Sequence, residues 1–212
     1  MRVSKFAEPQ TFRIVNNKAP SEEVFFRIIG ILCSKTLPPV KTDNHVRNLR
    51  QYVKLTGLGW VQFSNFKRGV SECMGLFKGN PGTEATMEPD YKPYEGDVAI
   101  DCHAHYLTDC NLSPNEKHQP FGTDVDPHSI LEAICGSKFI HGADNRVEYC
   151  VKKQSIKLEE IKAGNIVEAT VAIVNIPIRE DQFKMILALR AITKITDEVR
   201  KVRVKRTTNL SL

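Results

Sequence analysis

Residues 166–195 run IVEATVAIVNIPIREDQFKMILALRAITKI, and the fold turns on how this stretch is read. Its first part, Ile166 to Ile178, is dense in Val, Ile and Thr. A polar break of Arg179, Glu180, Asp181 and Gln182 then leads into Phe183 to Ile195. Two such runs joined by a short polar loop signal a β-hairpin. In the second run Phe183, Met185, Leu187, Leu189, Ala191 and Ile195 share one face at period two, while Lys184, Arg190 and Lys194 share the other with Ile186 and Ile192. Leu, Ala, Arg and Lys also favour helices, so LALRAITKI taken alone admits one. The strand-like partner and the alternation decide for a strand.

Working outward, Val199 to Arg206 alternates Val202 and Val204 with Lys201, Arg203 and Lys205, the pattern of a basic strand edge. Upstream, Ser21 to Lys35 suggests a strand interrupted at Gly30, ended by Leu37, Pro38 and Pro39. Leu49 to Phe77 divides into two or three strands at Gly57, Gly59 and a turn over Asn65 to Gly69. Lys78 to Gly96 is rich in Gly and Pro and nearly free of aliphatic residues, which predicts a long loop. The chain is therefore expected to form a single β-rich domain over 1–212, with 1–79 and 96–212 as the alternative division across that loop. One short helix is expected after Asp126, with Asp as cap, Pro127 in the first turn and Gly136 as the stop. Lys138 to His141 and Val147 to Lys153 suggest strands around a turn at Gly142 to Asn145, and Lys157 to Lys162 a helical turn. The expected class is mainly β, an antiparallel barrel or sandwich with one short helix.

The 212 residues are 41% hydrophobic and 26% charged, values that suit a packed core rather than a disordered chain. No run approaches the length of a membrane helix and the first twenty residues lack a secretory signal, so an intracellular protein, cytoplasmic or nuclear, without membrane contact is expected. Cys33, Cys73, Cys102, Cys110, Cys135 and Cys150 show no dense spacing and no CxxC. They are expected to be free thiols, most of them small buried hydrophobes.

The formal charge of +5 hides a segregation. Residues 1–79 carry 13 basic and 5 acidic side chains, 80–148 carry 4 and 13, 149–183 carry 5 of each, and 184–212 carry 8 and 2. Such blocks suggest an internal match of the acidic middle with the basic flanks, the same match between neighbouring subunits, or a basic surface for a polyanion.

The segment IDCHAHY, Ile100 to Tyr106, places His103 and His105 on one side of a strand, where they could share a metal in a hydrolase. The (β/α)₈ barrel that usually carries an Asp-x-His-x-His start needs about 250 residues, and too little chain follows Tyr106. Zinc ligation by Cys102, His103, His105, Cys110, His118 or His128 lacks regular spacing. Asp124 and Asp126 with His128 resemble a divalent-cation set, but helix capping accounts for Asp126. There is no nucleophile elbow and no phosphate loop. Nothing in the sequence points positively to an enzyme, and none of these patterns calls for a cofactor.

Nucleic-acid binding has the best physical case. Tyr52, Trp60, Phe63 and Phe66 lie among Lys54, Lys67 and Arg68, the mixture of stacking faces and cations that single-strand binders use. Lys184, Arg190 and Lys194, with Lys201, Arg203, Lys205 and Arg206, could follow a phosphate backbone. The favoured function is a non-enzymatic module that binds nucleic acid through basic strand faces. A self-assembling protein with complementary acidic and basic regions is the alternative, and a metal-dependent hydrolase the third.

Two segments carry a resemblance. FIHGADNRVEYC (Phe139 to Cys150) and GNIVEATVAIVNIPIREDQFKMILALRAITKI (Gly164 to Ile195) resemble a group of proteins from mushroom-forming fungi that share an FIHxxDN … G(D/N)IVE … KFKM … LRAI pattern. Asn165 stands where the group has Asp. The likeness implies a fungal, intracellular setting and no particular chemistry. A Gly-polar turn feeding an IVE strand and a long hairpin is also similar to small β-barrels of the oligonucleotide-binding (OB) class, an analogy of fold alone.

Overall fold

The computed structural model describes residues 1–41, 49–136, 138–151, 154–155, 160–179 and 182–196. The expected hairpin forms: β12 (Ile166–Arg179) pairs antiparallel with β13 (Gln182–Thr196) along almost its whole length. Around it lie β1 (Arg2–Ala7), β2 (Gln10–Val15), β3 (Phe25–Thr36), β4 (Arg50–Thr56), β5 (Thr86–Met87), β6 (Tyr91–Tyr94) and β7 (Asp97–His105). β8 (Thr108–Asp109), β9 (Phe139–Ile140), β10 (Glu148–Val151) and β11 (Gln154–Ser155) are the remaining strands among the described residues. Helices α1 (Val61–Lys78) and α2 (Ile130–Ile134) interrupt the series.

β12 pairs with β3, β3 with β4, β4 with β7, β7 with β13, and β13 returns to β12. The ring is a closed five-stranded barrel in which only the β7–β13 pair is parallel. Following the directly opposed residues Phe25, Ala172, Ala188, His103 and Tyr52 around it, the path re-enters β3 at Thr36, the stagger that closing so small a barrel requires. Inside lie Ile28, Leu32, Val53, Leu55, Ile100, Cys102, Val167, Ala169, Val171, Met185, Leu187 and Leu189, every one nearly or wholly buried.

Alternation holds in β13 only as far as Leu189. Opposite it the register shifts between Thr170 and Val171, whose partners are Ala191 and Leu189, so Arg190 is an extra residue in a bulge. Beyond it the phase inverts. Ile192, expected outside, lies fully buried in the core opposite Ala169, and Lys194 falls opposite Val167 on that same inner side at the barrel end.

Leu49 to Phe77 is one strand and one helix, not two or three strands. Phe63, Phe66, Val70, Cys73, Met74 and Phe77 recur at helical spacing, and all but the partly buried Phe66 are buried against the barrel. The glycines and aromatics that suggested strands belong to the entry turn, where Leu58 and Gly59 have φ of 44° and 89°, and to this apolar stripe. Among the described residues two α-helices therefore stand where a single helix was expected. Gly57 abuts the helix so closely that an added Cβ would fall 2.5 Å from the Phe63 Cβ. Phe63 is buried and cannot swing away, so Gly57→Ala should cost about 1–3 kcal/mol in urea unfolding. An unchanged midpoint would mean that α1 shifts freely.

The short helix forms as α2 but starts at Ile130, so Pro127 lies in the turn before it and not in its first turn; Asp126 still serves its N-terminus with both oxygens, accepting from the Ile130 and Glu132 amides at 2.8 and 2.9 Å. Residues 78–96, expected to be a loop, supply β5 and β6, which pair with β13 and β7. Strand β3 runs unbroken through Gly30, where a Cβ would lie 3.1 Å from the Thr56 carbonyl oxygen. The strands on either side of Gly142–Asn145 exist but pair elsewhere, β9 with β8 and β10 with β13. Lys201, Arg203, Lys205 and Arg206, and most of the 157–162 turn, lie outside the described residues.

The FIHGADN segment joins the 106–147 excursion to the barrel. The Asn145 side chain accepts from the Gly142 amide at 2.7 Å and donates to the His105 carbonyl at 3.1 Å, while its own carbonyl accepts from Gln51 at 2.8 Å. Asn165 is fully buried and accepts from the Lys162 amide at 2.7 Å, fixing the turn that starts β12.

Candidate nucleic-acid interface

β4 and β7 run antiparallel with Arg50 opposite His105, Tyr52 opposite His103 and Lys54 opposite Asp101. The residues between them, Gln51, Val53 and Leu55 with Ile100, Cys102 and Ala104, are buried inside. Strand alternation therefore sends three directly opposed aromatic or charged pairs to the outer face.

These six side chains organise one another. The Tyr52 hydroxyl donates to Asp101 Oδ1 at 2.9 Å, and the Arg50 guanidinium lies 5.5 Å above the Tyr52 ring. Lys54 and Lys92 flank Asp101 at 3.8 and 3.7 Å. The His103 and His105 rings meet edge to face with centroids 6.0 Å apart. Partial burial, then His105 and Arg50, press the His103 pKa down to about 4, and burial with Arg50 also lowers that of His105. Both imidazoles are thus uncharged rings at neutral pH. Burial and the bond to Asp101 raise the Tyr52 phenol, so it stays a neutral donor. The face combines three flat rings with Arg50, Lys54 and Lys92 and a single carboxylate, Asp101.

Of the residues singled out in the sequence for nucleic-acid binding, Tyr52 and Lys54 lie on this face in the expected roles. Trp60 is half-buried against the core before α1, and Phe63 is core. Lys67 and Arg68 are on α1, Lys67 with its Nζ 5.9 Å from the Tyr91 ring centroid. Lys184 pairs with Asp90 at 2.5 Å. Arg190 is not a phosphate ligand in waiting: its guanidinium bonds the Glu23 carboxylate at 3.2 and 3.3 Å, Asp144 Oδ1 at 3.2 Å and the Asp144 carbonyl at 2.9 Å. Lys194 is half-buried on the inner side of the barrel end. His103 and His105 share a face as foreseen for a metal pair, but among the described residues no three His, Cys, Asp or Glu side chains gather as a metal would need. Two of the six thiols, Cys73 and Cys102, are fully buried and the other four are half-buried, fewer buried than expected.

Arg50 was missed, and so was the stacking potential of the two histidines. The signal lay in period two on both strands, RQYVK and DCHAH, but the long crossover through α1 conceals that the two are neighbours.

The strand path, with a parallel closing pair, a hairpin as the last two strands and a long excursion between the third and fourth, is that of the OB barrel. No family model matches the sequence, and no curated protein aligns with it. Among solved structures, gp2.5, a single-stranded DNA-binding protein encoded by bacteriophage T7, superposes with a TM-score of 0.50 at 11% identity, over 81% of this chain and 86% of that one. A single-stranded DNA-binding protein from bacteriophage Enc34 gives a TM-score of 0.45 at 11% identity, over 92% and 89%. The first likeness is one of fold. Among the described residues no helix is long and apolar enough to cross a membrane.

Proposed function

We propose that this protein is a non-enzymatic module that binds single-stranded nucleic acid across the outer face of β4 and β7. The observation that carries the reading is the set of three cross-strand pairs, Arg50/His105, Tyr52/His103 and Lys54/Asp101, on one open strand pair. These are the second and third strands of an OB barrel, the face on which such barrels take oligonucleotides. Flat neutral rings accept any base by stacking, and the cations beside them meet phosphates. The phage T7 protein of similar fold binds single-stranded DNA, which supports the reading as analogy. The setting inferred is intracellular.

The test is a fluorescence titration with oligothymidylate at about 50 mM salt, repeated at rising salt, because phosphate contacts are strongest at the low end. Saturable binding that weakens linearly on a log–log plot is expected. No binding at the lowest salt removes the proposal. Asp101→Asn sharpens the test, since it keeps an acceptor for Tyr52 and releases Lys54 and Lys92 from a carboxylate. It should tighten binding about five-fold, the scale of one exposed ion pair. Weaker binding would place the contact elsewhere.

A further inference from the structure

Behind β4, on the side opposite the stacking face, the 106–147 excursion and β10 border an open-sided cavity of ≈ 760 Å³. Its walls include Gln51, Tyr106, Phe121, His141 and Tyr149. We propose that this cavity is a nucleoside site, one that takes a planar, uncharged heterocycle bearing exocyclic amino groups. The source is either a free nucleoside or a base turned out of a bound strand.

The volume lies within the range of pockets that enclose small organic ligands. One wall carries an aromatic stack: the Phe121 ring lies against the His141 ring, with centroids 4.2 Å apart at an interplanar angle of 35°, and both residues line the cavity. Phe121 is half-buried: it packs on the cluster of Leu49, Tyr106, Leu107 and Leu131 and also lines the cavity. The walls are held rigidly. Tyr149 donates its hydroxyl to Gln51 Oε1, Gln51 Nε2 donates to the Asn145 carbonyl at 2.8 Å, and His141 is bonded on both its amide and its ring.

The charges indicate what the cavity prefers. Asp124 and Glu148 line it against the single Arg146, so a phosphate inside would face a carboxylate surplus. His141 Nδ1 donates to the Tyr106 carbonyl at 2.8 Å. Burial lowers the His141 pKa, so the ring is neutral and its Nε2 offers a lone pair. The Asp124 and Glu148 carboxylates among the lining groups are acceptors for exocyclic amino groups, which favours amino-bearing bases such as adenine, guanine and cytosine over thymine or uracil. Gln51 stands between Arg50 and Tyr52 on β4 with its side chain turned the other way, so a strand on the outer face and a base in the cavity would share one protein strand.

The inference stands apart from the strand-binding proposal and fails separately from it. The full chain is titrated with adenosine, guanosine, cytidine, thymidine and uridine, followed by amide chemical shifts. Adenosine, guanosine or cytidine should shift residues around Phe121, His141 and Tyr149, and Phe121→Ala should weaken that binding about ten-fold, the scale of one stacking contact. No shift with any nucleoside at about 5 mM, a concentration that would reveal even millimolar affinity, overturns the site. Equal affinity for thymidine, or unchanged affinity in Phe121→Ala, also overturns it. Should Phe121→Ala fail to fold, Asp124→Asn at an exposed position replaces it, with at least a three-fold loss expected and no loss counting against the site. Oligodeoxyadenylate then separates the sources: weaker binding by Phe121→Ala identifies a base of the strand, and unchanged binding identifies the free nucleoside. Failure of wild type to bind any oligonucleotide would sink strand binding and leave the nucleoside result standing.

Discussion

Arg50→Glu combined with Lys54→Glu should abolish most of the affinity for single-stranded nucleic acid, lowering it about 100-fold at about 50 mM salt. Both cations project from β4 on the outer face, one opposite His105 and one opposite Asp101. Each phosphate contact on a single strand contributes about 0.7 to the slope of log affinity against log salt, so losing both should flatten it by about 1.4. The flattening distinguishes lost phosphate contacts from a general loss of fold, which circular dichroism checks independently. Arg68→Glu, at an exposed position of α1, supplies the control and should leave affinity within about two-fold. If Arg68→Glu matches the double variant, binding depends on net charge and not on the β4–β7 face.

Asp144→Ala should cost about 3 kcal/mol of stability, measured by urea unfolding. Asp144 accepts two bonds from Arg13, one of them at 2.9 Å, and one from Arg190 at 3.2 Å, while Glu23 serves both arginines. The Arg13 and Arg190 side chains are 8% and 14% exposed, so removing Asp144 leaves two poorly hydrated cations sharing one carboxylate. A loss below about 1 kcal/mol would mean that water reaches the cluster and screens it. Combining Asp144→Ala with Arg190→Met should recover part of the loss, because the uncompensated cation goes too. Burial alone would raise the Asp144 carboxyl, but Arg13 and then Arg190 outweigh it and hold the group below its ordinary value. A depressed folded pKa contributes stability above the unfolded value near 3.8, and that contribution fades as pH falls through the folded pKa. The gap between wild type and Asp144→Asn should therefore be full at pH 6 and close in strong acid.

The barrel was legible where a strand keeps one buried face, as in β12 and the first half of β13. It was illegible where tertiary structure overrode local pattern. α1 carries Gly69, Gly75 and several aromatics, poor local helix signals, and only its packing on the barrel makes its spacing decisive. The charge blocks were informative in a different way from the one favoured. Arg13 and Arg190 from the basic flanks meet Asp144 from the acidic middle, and Lys54 meets Asp101, so part of the segregation is matched within one chain. Sequence distance hid these partners, since Arg190 and Glu23 are joined only by the fold. Tyr52 was legible as an aromatic among cations. Its neighbours His103 and His105 were visible as a pair but suggested a metal, because nothing in the linear order sets Arg50 and Tyr52 beside them.

The extra residue at Arg190 has a bearing on grafting. The two halves of the last strand belong to opposite parities, so a chimera that swaps in the C-terminal half of an unbulged strand will carry its oily side outward and its polar side into the barrel mouth. Any exchange of that half must bring its own inserted position, and the inserted position must hold a side chain long enough to bridge Glu23 and Asp144.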